Sequence, residues 1–246
     1  MIVLTAAMLK AGSSWFFNMV NDLVVAAGHD DGRWIRDRFR LQRMLSASDC
    51  TSRTLRFHRL ALISIPHWFG KTFTVKTHGR PTTSVKRMID IGMMKAVYIY
   101  RDPRDVTLSL FEHGEWIREQ GIQSRTRFDT LTTMENAMQV AKYHLQISKR
   151  WIRSKRALLV RYEDLLKEPR ITLKKVFTHI DIPVHDEVLN EIIDHYDARN
   201  RKNWGNDLHF NVGKSGRWRV ELSAEHKAKA LEMFADYLPE LGYSIE

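Results

Sequence analysis

Ile2-Val3-Leu4-Thr5-Ala6-Ala7, followed by Lys10-Ala11-Gly12-Ser13-Ser14-Trp15-Phe16, is the stretch that decides how this chain folds. The first six residues are a mostly apolar run of strand length, the glycine marks a tight turn, and the serines open a helix. Backbone N–H groups at a helix start have no intrahelical partner, and the helix dipole favours an anion there. Two hydroxyls and a lysine ammonium add donors, so the ligand this P-loop-like strand-loop-helix suits is a phosphate. In the Walker loop the lysine follows the last glycine and a Ser/Thr holds magnesium. Here Lys10 precedes Gly12, which sets the loop apart from that of a kinase.

Composition narrows the classes. At 246 residues and 43% hydrophobic content the chain is sized for one core, and 1–246 is read as a single domain. With 39 basic against 29 acidic residues the net charge is +10, which draws anionic ligands without choosing among nucleotides, glycans, nucleic acid and membranes. No uncharged run approaches the roughly 18 residues of a membrane span. Met1 to Leu9 lacks a basic leader and runs directly into the phosphate loop, so its removal as a signal peptide would destroy that loop. The one cysteine, Cys50, has no intrachain partner and fits a reducing compartment, so the expected location is cytoplasmic.

Along the chain, periodicity alternates strands with helices. A helix is expected over about 14–27, with Phe16, Val20, Leu23 and Val24 as its apolar stripe. Residues 33–60 are Arg-rich with apolar positions at helical spacing and read as an amphipathic helix over a groove. Strands follow at 72–76, 96–100 and 157–160. Helices are expected at 105–119, 134–151, around 170–195 and at 224–238, and 197–217 reads as loop. The fold class is therefore α/β, with a mainly parallel central sheet flanked by helices. Ligands in such sheets bind beyond the carboxyl ends of the strands, where every motif below falls.

Lys76 and His78 stand at and just past one strand end. A neutral imidazole suits proton abstraction near pH 7, and a lysine suits charge stabilisation. Tyr98-Ile99-Tyr100-Arg101-Asp102-Pro103-Arg104-Asp105-Val106, then Ser109, joins another strand to a helix that Asp102 can cap. Arg101 there is placed to fork onto a phosphate. Arg161-Tyr162-Glu163-Asp164-Leu165 repeats the strand-to-helix pattern, and Gly213-Lys214-Ser215-Gly216-Arg217-Trp218 is a glycine-rich loop.

Together these motifs resemble the sulfotransferases that use 3′-phosphoadenosine 5′-phosphosulfate (PAPS), with K-x-G-S/T-S/T-W, K-T-H, R-D-x-R-D-x-x-x-S, R-Y-E-D-L and G-x-x-G-x-W in the family's order over residues 1–218. The resemblance implies that Lys10, Ala11, Gly12, Ser13, Ser14 and Trp15 grip the 5′-phosphate, and that Arg101 and Ser109 hold the 3′-phosphate. It also implies His78 as general base, with Lys10 and Lys76 carrying charge on the transferring group. Tyr162 is expected at the nucleotide, Tyr196 on the adenine opposite Trp15, and Gly213 and Lys214 over the 3′-phosphate. The chain departs from the animal pattern in having Asn211 and Val212 where basic residues usually precede Gly213, a gap that Lys214 or Arg217 would fill. No metal is expected. In several carbohydrate members the base is an acid soon after the phosphate loop, which leaves Asp30, Asp31 and Asp37, the last foremost, as rivals to His78.

The acceptor stays open between a small alcohol, phenol or lipid-like molecule and a sugar. Its wall is expected from 33–70 and 112–133, with Trp34, Phe39, Phe57, Trp68, Phe69, Trp116 and Phe128 as candidates. Two other classes remain in view: an ATP-dependent small-molecule kinase, and a basic module binding nucleic acid or another polyanion. The first lacks the Walker order and the second lacks a recognised nucleic-acid motif, so no nucleic-acid partner is expected. Oligomeric state is not legible.

Overall fold

A computed structural model describes residues 1–121, 128–197 and 213–245. Five strands, β1 (Ile2–Ala7), β2 (Thr51–Ser52), β3 (Phe73–Thr77), β4 (Met94–Tyr100) and β5 (Ala157–Arg161), form one parallel sheet in the order β2-β3-β1-β4-β5. The chain leaves β1 for one side of the sheet, then crosses back over β1 to build β4 and β5. The reversal beside β1 is the switch point where an open α/β sheet presents its crevice.

Alternation along each strand divides the core between the two faces. Ile2, Leu4 and Ala6 of β1 join Phe73, Val75, Ala96 and Tyr98 in one cluster. Helices α6 (Pro103–Glu119), α7 (Met134–Ser154) and α12 (Ala224–Phe234) cover that cluster with Val106, Leu110, Leu145, Trp151 and Phe234. Val3 and Ala7 join Val97, Ile99 and Val160 on the other face. There α1 (Ser13–Ala26) packs Phe16, Val20, Leu23 and Val24, and α9 (Pro169–Ile180) adds Leu173, Val176 and Phe177.

Register levels the carboxyl ends. Ala6 pairs with Thr77, Ala7 with Ile99, and Tyr100 with Arg161. The residues that follow β1, β3, β4 and β5 consequently emerge along one edge.

The 33–60 region departs from the expected long helix. It holds α2 (Gly32–Arg38), capped by the Asp31 carboxylate, then turns, β2, and the start of α3 (Phe57–Ile63). Left-handed backbone at Arg40 (φ 55°) and Cys50 (φ 47°) interrupts any continuous helix there. α4 (Ile65–Trp68) follows α3, and α5 (Thr83–Asp90), which periodicity did not single out, lies between β3 and β4. The last helix ends at Phe234, short of Leu238. α8 (Tyr162–Lys167), α10 (Asp186–His195) and α11 (Trp218–Glu221) complete the α-helices of the described residues, and single 3₁₀ turns stand at Phe128–Thr130 and Pro239–Leu241.

Candidate active site

A cavity of about 180 Å³ opens at the carboxyl edge and is lined by Lys10, Gly12, Ser13, Ser14 and Trp15 from the first loop, together with Lys76, His78, Arg101, Ser109 and Tyr162. Gly213, Lys214, His113 and Arg217 also line it. Ala11, expected among the phosphate-gripping residues, does not line the cavity: it is fully buried in the core and its N–H donates to the Met8 carbonyl. Asn211 and Val212 lie outside the described residues.

The loop is shaped as an anion cradle. Gly12 caps α1 with φ 74° and no side chain caps the helix, so its first N–H groups stay open. Those of Gly12, Ser13 and Ser14 have no protein acceptor among the described residues. A Cβ at Gly12 would stand 2.8 Å from Cε2 of Tyr162, so the position needs glycine both for its backbone and for its space. Tyr162 in turn sets its ring 4.5 Å from the Arg101 guanidinium carbon.

Cations converge on this cradle. Burial, then Arg101 and Lys76, push the Lys10 ammonium down to about 8, with Glu112 opposing. Among the described residues Lys10 makes no ion pair. Arg101 is 7% exposed and its Nε is buried without a partner, while one Nη donates to the Lys214 carbonyl at 2.7 Å. Ser109, two turns into α6, is also buried beside the cavity. An unpartnered guanidinium N–H, open backbone donors and a lysine depressed by its cationic neighbours are what an anion of two or more charges would satisfy.

His78 places Nδ1 3.0 Å from the carbonyl oxygen of Ala7. A carbonyl accepts only, so Nδ1 carries the proton and Nε2 keeps its lone pair. Burial, then Lys76, hold the imidazole down to about 3, well below its ordinary value of 6.5. His144 from α7 stands edge-on with its ring centre 6.3 Å away and is itself pushed down to about 4 by burial.

Lys76 is tied by its ammonium to the Asp49 carboxylate and donates to Ser14 Oγ at 2.8 Å. Ser14 Oγ, Ser46 Oγ and Thr51 Oγ1 also donate to Asp49, at 3.0, 2.7 and 2.7 Å. Together with Lys76 these donors hold the carboxyl far below its ordinary range against the cost of burial. Asp49 thus joins β2, β3 and α1 in one polar knot. Its role was hidden in the sequence because it lies in an irregular turn with no periodic signature.

Asp105, fully buried, accepts from the backbone N–H of Gly216 at 2.6 Å and of Trp218 at 3.0 Å. The Arg104 guanidinium stacks on the Trp218 ring at 3.7 Å. The R-D-x-R-D stretch therefore anchors the glycine-rich loop as well as facing the cavity. Arg217, the other candidate to replace the missing basic residues, is forked onto Glu112 and Glu221.

Tyr196 donates its hydroxyl to Asp22 at 2.6 Å, accepts from Trp15 Nε1 through its carbonyl at 2.9 Å, and lines a neighbouring cleft with Trp15. Asp30 pairs with Lys71, Asp31 caps α2, and Asp37 is largely exposed beside Arg36, so none of the three lines the cavity. Of the aromatics offered for an acceptor wall, Phe128 lines the cavity, edge-on to His113 at 4.7 Å, alongside Leu9. His113, Glu112 and His144 went unnoticed in the sequence, where nothing but helical spacing from the motif residues would have pointed to them.

No curated protein sequence matches the chain. In fold it is similar to mouse sulfotransferase SULT7A1, solved in complex with PAP, with TM-score 0.69, 16% identity, and 98% of this chain and 86% of that one covered. It is likewise similar to a retinol dehydratase, solved with androsterone and the inactive cofactor PAP, with TM-score 0.60, 20% identity, and 96% and 80% covered. At these identities the likeness is one of fold. The sulfotransferase-domain family itself matches residues 2–242, nearly the whole chain, and the protein belongs to that family.

Proposed function

We propose that this sulfotransferase, one unit spanning the chain, moves a sulfuryl group from PAPS to the hydroxyl of a small-molecule acceptor, with His78 as general base. The observation that carries this reading is the joining of two features in one cavity: cations and open N–H groups arranged for a multiply charged anion, and a neutral imidazole with a free Nε2.

PAPS supplies the activated sulfuryl group. The open N–H groups of Gly12, Ser13 and Ser14, with Lys10, would hold the 5′-phosphate, and the Arg101 fork with Ser109 the 3′-phosphate. Trp15 and Tyr196 border a cleft suited to the adenine. His78 takes the acceptor's proton at Nε2 as the acceptor oxygen attacks sulfur in line with the departing phosphate oxygen. Lys10 and Lys76 hold the charge that collects on the sulfuryl and phosphate oxygens. Asp49 keeps Lys76 at the wall. A carboxylate base is disfavoured because Asp30, Asp31 and Asp37 are engaged elsewhere, and with it the carbohydrate branch. Leu9 and Phe128 favour an alcohol or phenol with apolar body.

Incubation with sulfur-labelled PAPS and a mixed set of alcohols, phenols and sugars tests the reading directly. Label transferred to an alcohol or phenol supports it. Transfer from ATP instead, or to sugars alone, contradicts it.

A further inference from the structure

Away from the catalytic edge, α3, α4 and α5 enclose an apolar cleft of about 340 Å³ that shares no lining residue with the catalytic cavity. Phe57 opens α3 at 76% exposure, Trp68 closes α4 at 72%, and Ile91 follows α5 at 63%, all on this cleft. Leu60 and Met88 form more of its wall, and Phe69 beside Trp68 is 71% exposed. Large apolar side chains gathered at such exposure mark a binding surface more often than chance. The framework beneath them is firm: Thr82, which caps α5, donates its hydroxyl to the Leu55 carbonyl at 3.0 Å just ahead of α3.

The helices that enclose the cleft are mainly basic: Arg56 caps the start of α3, Arg59 lies on α3, and Lys86 and Arg87 lie on α5. Between Asp49 and Asp90 the chain carries no acidic residue, while Arg53, Arg56, Arg59, Arg80, Lys86 and Arg87 fall within that interval. Their cationic groups make no ion pair or hydrogen bond among the described residues, and Arg87 lines the cleft itself. Asp90, at the edge, is already engaged by Arg156 at 2.7 Å. Aromatic tips over an aliphatic floor, with Arg87 on the cleft and further unpaired cations on the enclosing helices, match the interface of an anionic bilayer, where rings sit at headgroup depth and cations meet phosphate. A nucleic acid would use the same cations and could stack bases on Phe57 and Trp68, but it would leave the aliphatic floor of Leu60, Met88 and Ile91 uncovered.

We propose that the α3–α4–α5 face docks this protein peripherally on anionic lipid bilayers. Flotation with phosphatidylcholine vesicles, with and without phosphatidylserine, tests it on the full chain. Binding is expected to the phosphatidylserine vesicles alone and to weaken with salt. Arg56→Gln and Arg87→Gln should each cut affinity about fivefold, the worth of one basic residue at a charged leaflet. Phe57→Ser and Trp68→Ser, both solvent-facing changes with the folded spectrum retained, should each cut it about tenfold or more by removing the inserting groups. No difference between the two vesicle types overturns the proposal. So does full vesicle binding by the Phe57 and Trp68 variants alongside losses in the arginine variants, which would mark a plain polyanion site such as one for nucleic acid.

Discussion

Nδ1 of His78, just past the end of β3, lies 3.0 Å from the carbonyl oxygen of Ala7, the last residue of β1. Two neighbouring parallel strands thereby fix the tautomer of the imidazole and leave Nε2 as its one basic atom. His78→Ala should lower kcat by about 10²–10⁴ while leaving nucleotide affinity nearly unchanged. Steady-state kinetics and calorimetry on the same variant check both halves. Turnover within a few-fold of the unaltered enzyme would remove the histidine mechanism.

The pH profile follows from the same burial. In the free enzyme the imidazole is held down to about 3, so falling pH protonates the base only near that value. Lys10, pushed down to about 8, loses its charge as pH rises through that value. kcat/KM, which reports the free enzyme, should therefore stay level from about pH 5 to about pH 7 and fall above about pH 8. Bound anions offset the Lys76 charge that depresses His78, so the acid limb of kcat should lie at higher pH than that of kcat/KM. An acid limb of kcat/KM near pH 6.5 would mean the imidazole is solvated.

Asp49 anchors Lys76, Ser14, Ser46 and Thr51. Its carboxyl is depressed in the folded protein, so the stability it contributes is complete above the ordinary carboxylate value of ~4 and is lost as pH falls below it. Asp49→Asn should destabilise the fold by about 3–5 kcal/mol at pH 7, the scale for leaving a buried lysine unpaired. The gap to the unaltered protein should narrow with acidification. Denaturant melts at several pH values measure this, and a gap independent of pH would show that Asp49 is not ionised in the fold.

Gly12→Ala places a Cβ 2.8 Å from the Tyr162 ring on backbone at φ 74°. A cost of about 1–3 kcal/mol in folding stability is expected from the strained conformation, with nucleotide affinity falling further as the ring is displaced. Thermal unfolding with and without nucleotide separates the two effects.

Much of this was legible because parallel α/β strands read as apolar runs and strand-end motifs sit at fixed places in such a sheet. Lys10, Gly12 to Trp15, Lys76, His78, Arg101, Ser109 and Tyr162 line one cavity, while Ala11 is buried in the core. What escaped the sequence depends on tertiary placement. β2 spans two residues, too short for any period to show, and α5 carries a single fully buried side chain, Val85. The Arg-rich 33–60 segment mimics one amphipathic helix because its apolar spacing spans α2, a left-handed break and the start of α3. Asp49 and His144 owe their importance to neighbours far along the chain, and the depressed pKa of His78 arises from burial that no local motif encodes.

Arg101 and Ser109 as readers of a 3′-phosphate set PAPS apart from other nucleotides, and competing calorimetric titrations of 3′-phosphoadenosine 5′-phosphate and AMP test that directly. Charge-assisted hydrogen bonds to the extra phosphate should contribute about 2–4 kcal/mol, making the bisphosphate about 30- to 1,000-fold the tighter ligand, with Arg101→Ala abolishing the preference. Equal affinity for the two nucleotides would contradict the assignment of PAPS.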